Sequence, residues 1–350
     1  MHLDDLQIYT QLDPDGMLPA ILELPKQLEQ GWVAAQTLKL PDITQCRAVV
    51  ICGMGGSAIA GDFVSAYLGP ESPVPILVSR DYDLPAWVTG EDILVISSSH
   101  SGNTEETLST YSQAQERGCT QLALCTGGKL ATLAGKDKVA LWTFNHSGQP
   151  RTAVGYSFIT LLALLSRLGL ALDPGADLAE TLSILAKQAS EFGVESPVSA
   201  NPAKRMAGQL LGRSVAVFGS GLMAPVARRW KTQINELAKA WAQYEELPEA
   251  DHNLAAAVVN PEAALTNTMA VFLQAPSDHP QNALRSVLTR KGFMLEGIGT
   301  DTVMARGTSR LAHLWSLIQY GDFMSYYLAI AYGVNPTPVE AIESLKKAMK

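Results

Sequence analysis

At 350 residues, with 47% apolar and 17% charged side chains, the chain has material for two domains and nothing of a disordered polymer. A net charge of −8 excludes the broad basic face that a nucleic acid or an anionic membrane requires. It leaves an anionic small molecule open, because local donors decide such binding. Cys46, Cys52, Cys119 and Cys125 form no CxxC pair and read as free thiols in a reducing, cytoplasmic setting.

The opening MHLDDLQIYTQLDPDG is acidic and polar, unlike a signal peptide. The first forty residues offer at most one amphipathic helix. From Ala48 to Phe144, short continuous apolar runs alternate with helical segments. The predicted strands are 48–52, 75–79, 92–97, 121–125 and 139–144, runs of the kind buried on both faces of a parallel sheet. Helices are expected at Ser57–Leu68, Thr104–Arg117, 153–170 and 176–192. The apolar stretch Ala153–Leu172 carries Arg167 and hydroxyls and reads as a core helix, not a membrane span.

Residues 193–202, GVESPVSANP, read as a linker. The pattern then restarts. Strands are predicted at 214–218, near Trp241–Tyr244, at 269–274 and at 294–298. Helices are predicted at Ala224–Lys239, Asn282–Lys291, 308–331 and Pro338–Ala348. The fold class is α/β: two doubly wound, flavodoxin-like three-layer units, residues 1–192 and 203–350. A repeat supports related halves, since Ile51-Cys-Gly-Met-Gly-Gly-Ser-Ala58 aligns with Val217-Phe-Gly-Ser-Gly-Leu-Met-Ala224.

Two loops in the first half suit a phosphate. Gly53-Met-Gly55-Gly56-Ser57 lets backbone approach a ligand at a helix start, where free N–H groups and the dipole favour an anion. Ser97-Ser-Ser99-His100-Ser101-Gly-Asn-Thr104 gathers five hydroxyls before the next helix. Capping needs only one or two of them. Both glycine runs also fit G-x-G-x-x-A, so a dinucleotide site competes, with Asp81 as the ribose acid. A dinucleotide fold has no use for the serine loop, and no GxxxxGK[ST] is present.

The glycine loop followed by S-x-S-G-N-T-E-E-T resembles the sugar isomerase (SIS) domain, with His100 where that family usually has Tyr. RWKTQINE (229–236) and the ELPE…HN segment ending at His252-Asn253 extend the resemblance, over nearly the whole chain, to the bifunctional phosphoglucose/phosphomannose isomerases. That resemblance implies an aldose–ketose isomerase of hexose 6-phosphates, working in carbohydrate metabolism (glycolysis and gluconeogenesis) without a cofactor. It implies that Gly55, Gly56, Ser57, Ser99, Ser101 and Thr104 hold the phosphate. Glu236, read as mid-helix, would be the base that moves a proton between carbons 1 and 2. His252, supplied by the neighbouring subunit of a homodimer, would open the sugar ring together with Lys346. Lys346 is chosen over Lys347 and Lys350 because it follows Ile342 and Leu345 and would face inward. Arg151 would stabilise the ene-diolate, and Thr337 would help admit both epimers.

The histidines are scattered and no HxH or HExxH motif occurs, so no metal site is expected. A non-catalytic phosphosugar sensor would carry a helix-turn-helix module, for which the first forty residues lack positive charge. An amidotransferase would need an N-terminal cysteine in a glutaminase domain, and the chain begins Met-His-Leu.

Overall fold

A computed structural model describes residues 3–349. In chain order it contains α1 (Leu6–Leu12), α2 (Met17–Leu22), α3 (Leu24–Ala35), β1 (Ala48–Cys52), α4 (Gly55–Leu68), β2 (Ile76–Ser79), β3 (Ile93–Ser99), α5 (Glu105–Glu116), β4 (Thr120–Cys125), α6 (Gly128–Asp137), β5 (Ala140–Thr143), α7 (Val154–Arg167) and α8 (Gly175–Phe192). There follow α9 (Pro202–Leu210), β6 (Ser214–Ser220), α10 (Ala224–Leu237), β7 (Ala242–Leu247), α11 (Glu262–Leu265), β8 (Thr268–Gln274), α12 (Pro280–Leu295), β9 (Gly299–Met304), α13 (Arg310–Tyr332) and α14 (Glu340–Ala348).

The elements form two compact units. One is continuous, Glu23–Ala176; the other joins the chain through Leu22 to everything from Asp177 on. In the continuous unit five parallel strands run in the order β2-β1-β3-β4-β5. This is the flavodoxin-like winding, with its switch point between β1 and β3. β1 and β3 are buried along their whole length, which explains their unbroken apolar runs. Val50 and Cys52 face the cluster that includes Ala114 of α5. Ile51 faces Gly61 of α4 on the other side, as a period of two requires.

The discontinuous unit has four parallel strands in the order β7-β6-β8-β9. Phe218, Phe272 and Phe293 pack together on one face, the first two stacked at 4.5 Å. On α13, every residue from Leu311 to Ile330 is buried, the mark of a central helix. It meets α10 through an ion pair in which Arg229 donates to Asp322 at 2.8 and 3.1 Å, with Gln233 donating to the same carboxylate at 2.8 Å.

The units are not divided at residues 193–202, as the sequence suggests. That segment is irregular, but both of its flanks belong to the discontinuous unit. α8 docks on α13: Gln188 donates to the Ser316 carbonyl, and Phe192 meets Tyr320 and Phe323 edge-on. The start of the chain reaches the same place, where Tyr9 stacks on Tyr326 at 6.1 Å and buried Lys204 lies over Tyr9 and Tyr327 and pairs with Asp4. Three further expectations change. The first forty residues hold three helices, α1–α3. The apolar run 294–298 is not a strand, because α12 continues to Leu295 and Gly297 at φ +84° turns the chain. The last strand is instead the half-exposed edge GTDTVM, whose polar alternation hid it. α6, α9 and α11 were also not anticipated. Among the described residues no helix is long and apolar enough to cross a membrane, and all four cysteines are free.

Removing the Asp322 carboxylate leaves Arg229 buried without its counter-charge. Asp322→Ala should therefore cost about 3–5 kcal/mol in urea unfolding. A second expectation concerns acid. Glu180 of α8 accepts bonds from Ser309 and Thr308 at the start of α13, and these hold its carboxyl down to about 2. Its stabilisation is complete above the ordinary carboxylate range and is lost as pH falls through the folded-state value. Glu180→Gln should flatten that limb of the thermal stability profile between about pH 4.5 and 2.

Candidate functional site

At the carboxyl edge of the five-stranded sheet, the loops after β1 and β3 meet at the switch point, where open α/β sheets bind ligands. Gly55 takes φ +51° with open space where a Cβ would be, which lets the chain turn from β1 directly into α4. Gly56 lies so close to the next loop that a Cβ would stand 2.8 Å from the Pro150 carbonyl and 3.4 Å from Arg151 Cα. Any side chain there would push Arg151 away.

Ser57 is buried, and its Oγ accepts from the backbone N–H of His100 at 3.2 Å. That bond ties the glycine loop to the serine loop. Ser99 is also buried, with its Oγ 2.9 Å from Oγ1 of Thr104. Thr104 precedes α5 but makes no side-chain capping bond, and α4 likewise starts without a side-chain cap. The hydroxyls are thus arranged around the loop and not spent on the helix ends. Ser101 is exposed at the rim, with its Oγ accepting from Asn103 N–H at 3.2 Å. The structure brings Gly55, Gly56, Ser57, Ser99, Ser101 and Thr104 to one edge. Arg151, only 4% exposed, joins them from the turn Pro150–Thr152. The arrangement offers neutral donors, two helix starts and one fixed cation to an oxyanion.

His146 was not singled out from the sequence. It lies in the loop after β5 and shares a hydrogen bond of 3.0 Å with His100, Nδ1 to Nε2. Its Nε2 is 3.3 Å from Thr152 Oγ1. Burial lowers His100 to about 4, helped by His146. Burial also lowers His146, against the pull of Glu23. The usable signal was a second histidine closing another strand of the same sheet, legible only once strand order is known.

The remaining residues lie in the other unit. Glu236 is half-buried and sits in the last turn of α10, not mid-helix. Lys239 closes that end: its Nζ donates to the Glu236 carbonyl at 2.6 Å and to the Pro336 carbonyl at 3.4 Å. It thereby joins the Glu236 helix end to the segment carrying Thr337. His252 is exposed in the turn Glu249–His252 after β7. Its neighbour Asp251 anchors that turn to α12 through Arg285 and Thr289. α10 starts at the carboxyl edge of its sheet and runs back about 21 Å over 14 residues, so Glu236 stands at one edge and His252 at the other. Lys346 does not face inward. No residue of α14 is buried, and Ile342 and Leu345 are 40% and 61% exposed; Lys350 lies outside the described residues. The internal repeat is real in backbone terms, since Gly221 after β6 takes φ +50°, the match of Gly55 after β1. Among the described residues no group of three or more His, Cys, Asp or Glu gathers to hold a metal.

Residues 199–349 match the family model described as the bacterial phospho-glucose isomerase C-terminal SIS domain. A bifunctional phosphoglucose/phosphomannose isomerase of Caldicellulosiruptor bescii is 37% identical over 95% of this chain and 98% of its own. Another, of Aquifex aeolicus, is 36% identical over 88% of this chain and 92% of its own. A solved structure of a glucose-6-phosphate isomerase like protein from Thermus thermophilus covers 97% of this chain and 98% of its own, with a TM-score of 0.65 at 20% identity, which shows a shared fold. With relatives this similar along nearly their whole length, the chain belongs to the bifunctional phosphoglucose/phosphomannose isomerases, a family of isomerase enzymes.

Proposed function

We propose that the chain interconverts fructose 6-phosphate with glucose 6-phosphate and mannose 6-phosphate by proton transfer through a cis-ene-diolate, without a metal. The observation that carries this reading is the cradle at the β1/β3 switch point, where Thr104 and Ser99 pair their hydroxyls and neither helix start takes a side-chain cap. Such a cradle suits a terminal phosphate, and the names of the relatives supply the sugar. Gly55, Gly56, Ser57, Ser99, Ser101 and Thr104 hold the 6-phosphate. Arg151, buried beside Gly56, steadies the oxygens on which charge develops.

Glu236 is the general base. A carboxylate can take the proton from carbon 2 and return it to carbon 1, and the same ene-diolate then serves both epimers. His252 and Lys346 open the ring, and Thr337 shapes epimer tolerance. Glu236 and His252 stand at opposite edges of one sheet. This favours the assignment of His252 to a neighbouring copy's site, in a homodimer with two-fold symmetry.

Incubation with fructose 6-phosphate in heavy water, followed by NMR, tests the reaction. Deuterium should enter carbon 2 of both glucose and mannose 6-phosphate. Formation of neither epimer would refute the assignment. Complementation tests the residues. Glu236→Gln and His252→Ala should each lower kcat by two or more orders of magnitude, about the worth of a general acid or base. Mixed and re-equilibrated one to one, the two variants should regain about a quarter of wild-type activity, through the one intact site in each mixed dimer. No recovery would place both residues in the site of a single copy.

A further inference from the structure

The serine loop carries a histidine among its hydroxyls, and the structure gives that histidine, His100, a partner in His146. The hydrogen bonds fit one consistent pair of tautomers. Thr152 Oγ1 donates to the Gln149 carbonyl at 2.8 Å, so toward His146 it can only accept. His146 therefore carries its proton on Nε2, which leaves Nδ1 as an acceptor. His100 then carries its proton on Nε2 and donates to that Nδ1. The chain of bonds leaves Nδ1 of His100 as the basic nitrogen of the pair, one residue from Ser99 and Ser101. The main-chain N–H of the same residue is held on Ser57.

We propose that His100 and His146 form a proton-accepting arm of the anion site: as an oxyanion settles between the glycine and serine loops, Nδ1 of His100 takes a proton from water and donates a charge-assisted hydrogen bond to it. The proposal rests on the reading that these loops hold the substrate phosphate. The need is electrostatic. A phosphomonoester is close to a dianion at neutral pH, and apart from Arg151 the cradle consists of neutral hydroxyls and N–H groups. An imidazolium at position 100 supplies a second positive charge only while the anion is present.

His146 stabilises that charge by accepting from Nε2, and Thr152 and Gln149 continue the bond chain into the turn that carries Arg151. The charged and titratable groups around the pair are Glu23 ahead of α3, Arg151 in the turn and Tyr156 on α7. Glu23 favours the protonated form of His146, though burial outweighs it. In the free protein both rings stay neutral at pH 7, because burial lowers both. An adjacent anion raises their affinity for protons. Binding is then linked to proton uptake, and affinity rises as pH falls.

Sulfate is the suitable probe, because it has no proton to gain or lose near neutrality. The full-length protein is titrated with sulfate by calorimetry at about pH 7, in a buffer of low and one of high protonation enthalpy, and again from about pH 6 to 8. The heats should differ between buffers by the uptake of up to one proton per sulfate, and affinity should fall by as much as tenfold per pH unit. His100→Tyr should still bind sulfate but without uptake; His146→Gln should reduce it. Buffer-independent heats in the wild type would overturn the arm while leaving the anion site standing. Uptake undiminished in His100→Tyr would do the same. Failure of the wild type to bind sulfate at any pH would overturn the site and the arm together.

Discussion

The hydrogen bond from the His100 main chain to Ser57 Oγ is the joint on which the candidate site depends. It links the loop after β1 to the loop after β3 at the point where the sheet's winding reverses. Elsewhere in a doubly wound sheet, neighbouring strands send their helices to the same side and their loops crowd each other; here they part and leave a crevice. Gly56 makes the crevice narrow enough for the turn with Arg151 to close one side. A serine at position 57 and a glycine at position 56 act as one device: one draws the loops together, and the other leaves room for the buried cation.

The other unit repeats the winding without the serines. Its first loop has the same left-handed glycine, but the loop after β8 reads Ala275-Pro-Ser-Asp-His-Pro280. There Asp278 turns its carboxylate back onto the Ala275 N–H, where burial raises its proton affinity. An acid at that position repels a phosphate. What this unit offers is the rigid α10–α13 pair. Arg229, Gln233 and Asp322 fix the helix one and two turns before Glu236, and Trp230 stacks on Tyr320 while donating to the Leu317 carbonyl. The role proposed for Glu236 needs a fixed direction, and a buried ion pair on its own helix provides one.

Most of the fold was legible, because buried parallel strands announce themselves as short apolar runs. Among the described residues, eight of the nine strands fall where such runs or their continuations predict. The ninth, β9, is a half-exposed edge with Thr and Asp in it, and the apolar run before it belongs to α12. The meeting of the glycine and serine loops was legible from glycine and hydroxyl spacing, since that geometry depends on local backbone. His146 was not, because its partnership with His100 comes from strand order. The inward facing expected of Lys346 failed for a related reason: an amphipathic period marks which face of α14 is apolar, not what that face covers. The division into units was misread at a linker-like segment, since the side-chain contacts of α8 and of Tyr9 outweigh local composition.

The way the two units share the chain governs how each can be assembled. The serine-loop unit is one uninterrupted stretch and has all of its strands once α7 has been made. The other unit joins distant parts of the chain, Asp15 to Asn335 across 320 positions and Tyr9 to Tyr326. Contacts that distant form slowly, because so much chain must be brought together first. During synthesis, the first twenty residues emerge long before their partners exist. The glycine and serine loops can therefore be complete while the helix that carries Glu236 still lacks α13, its main packing partner.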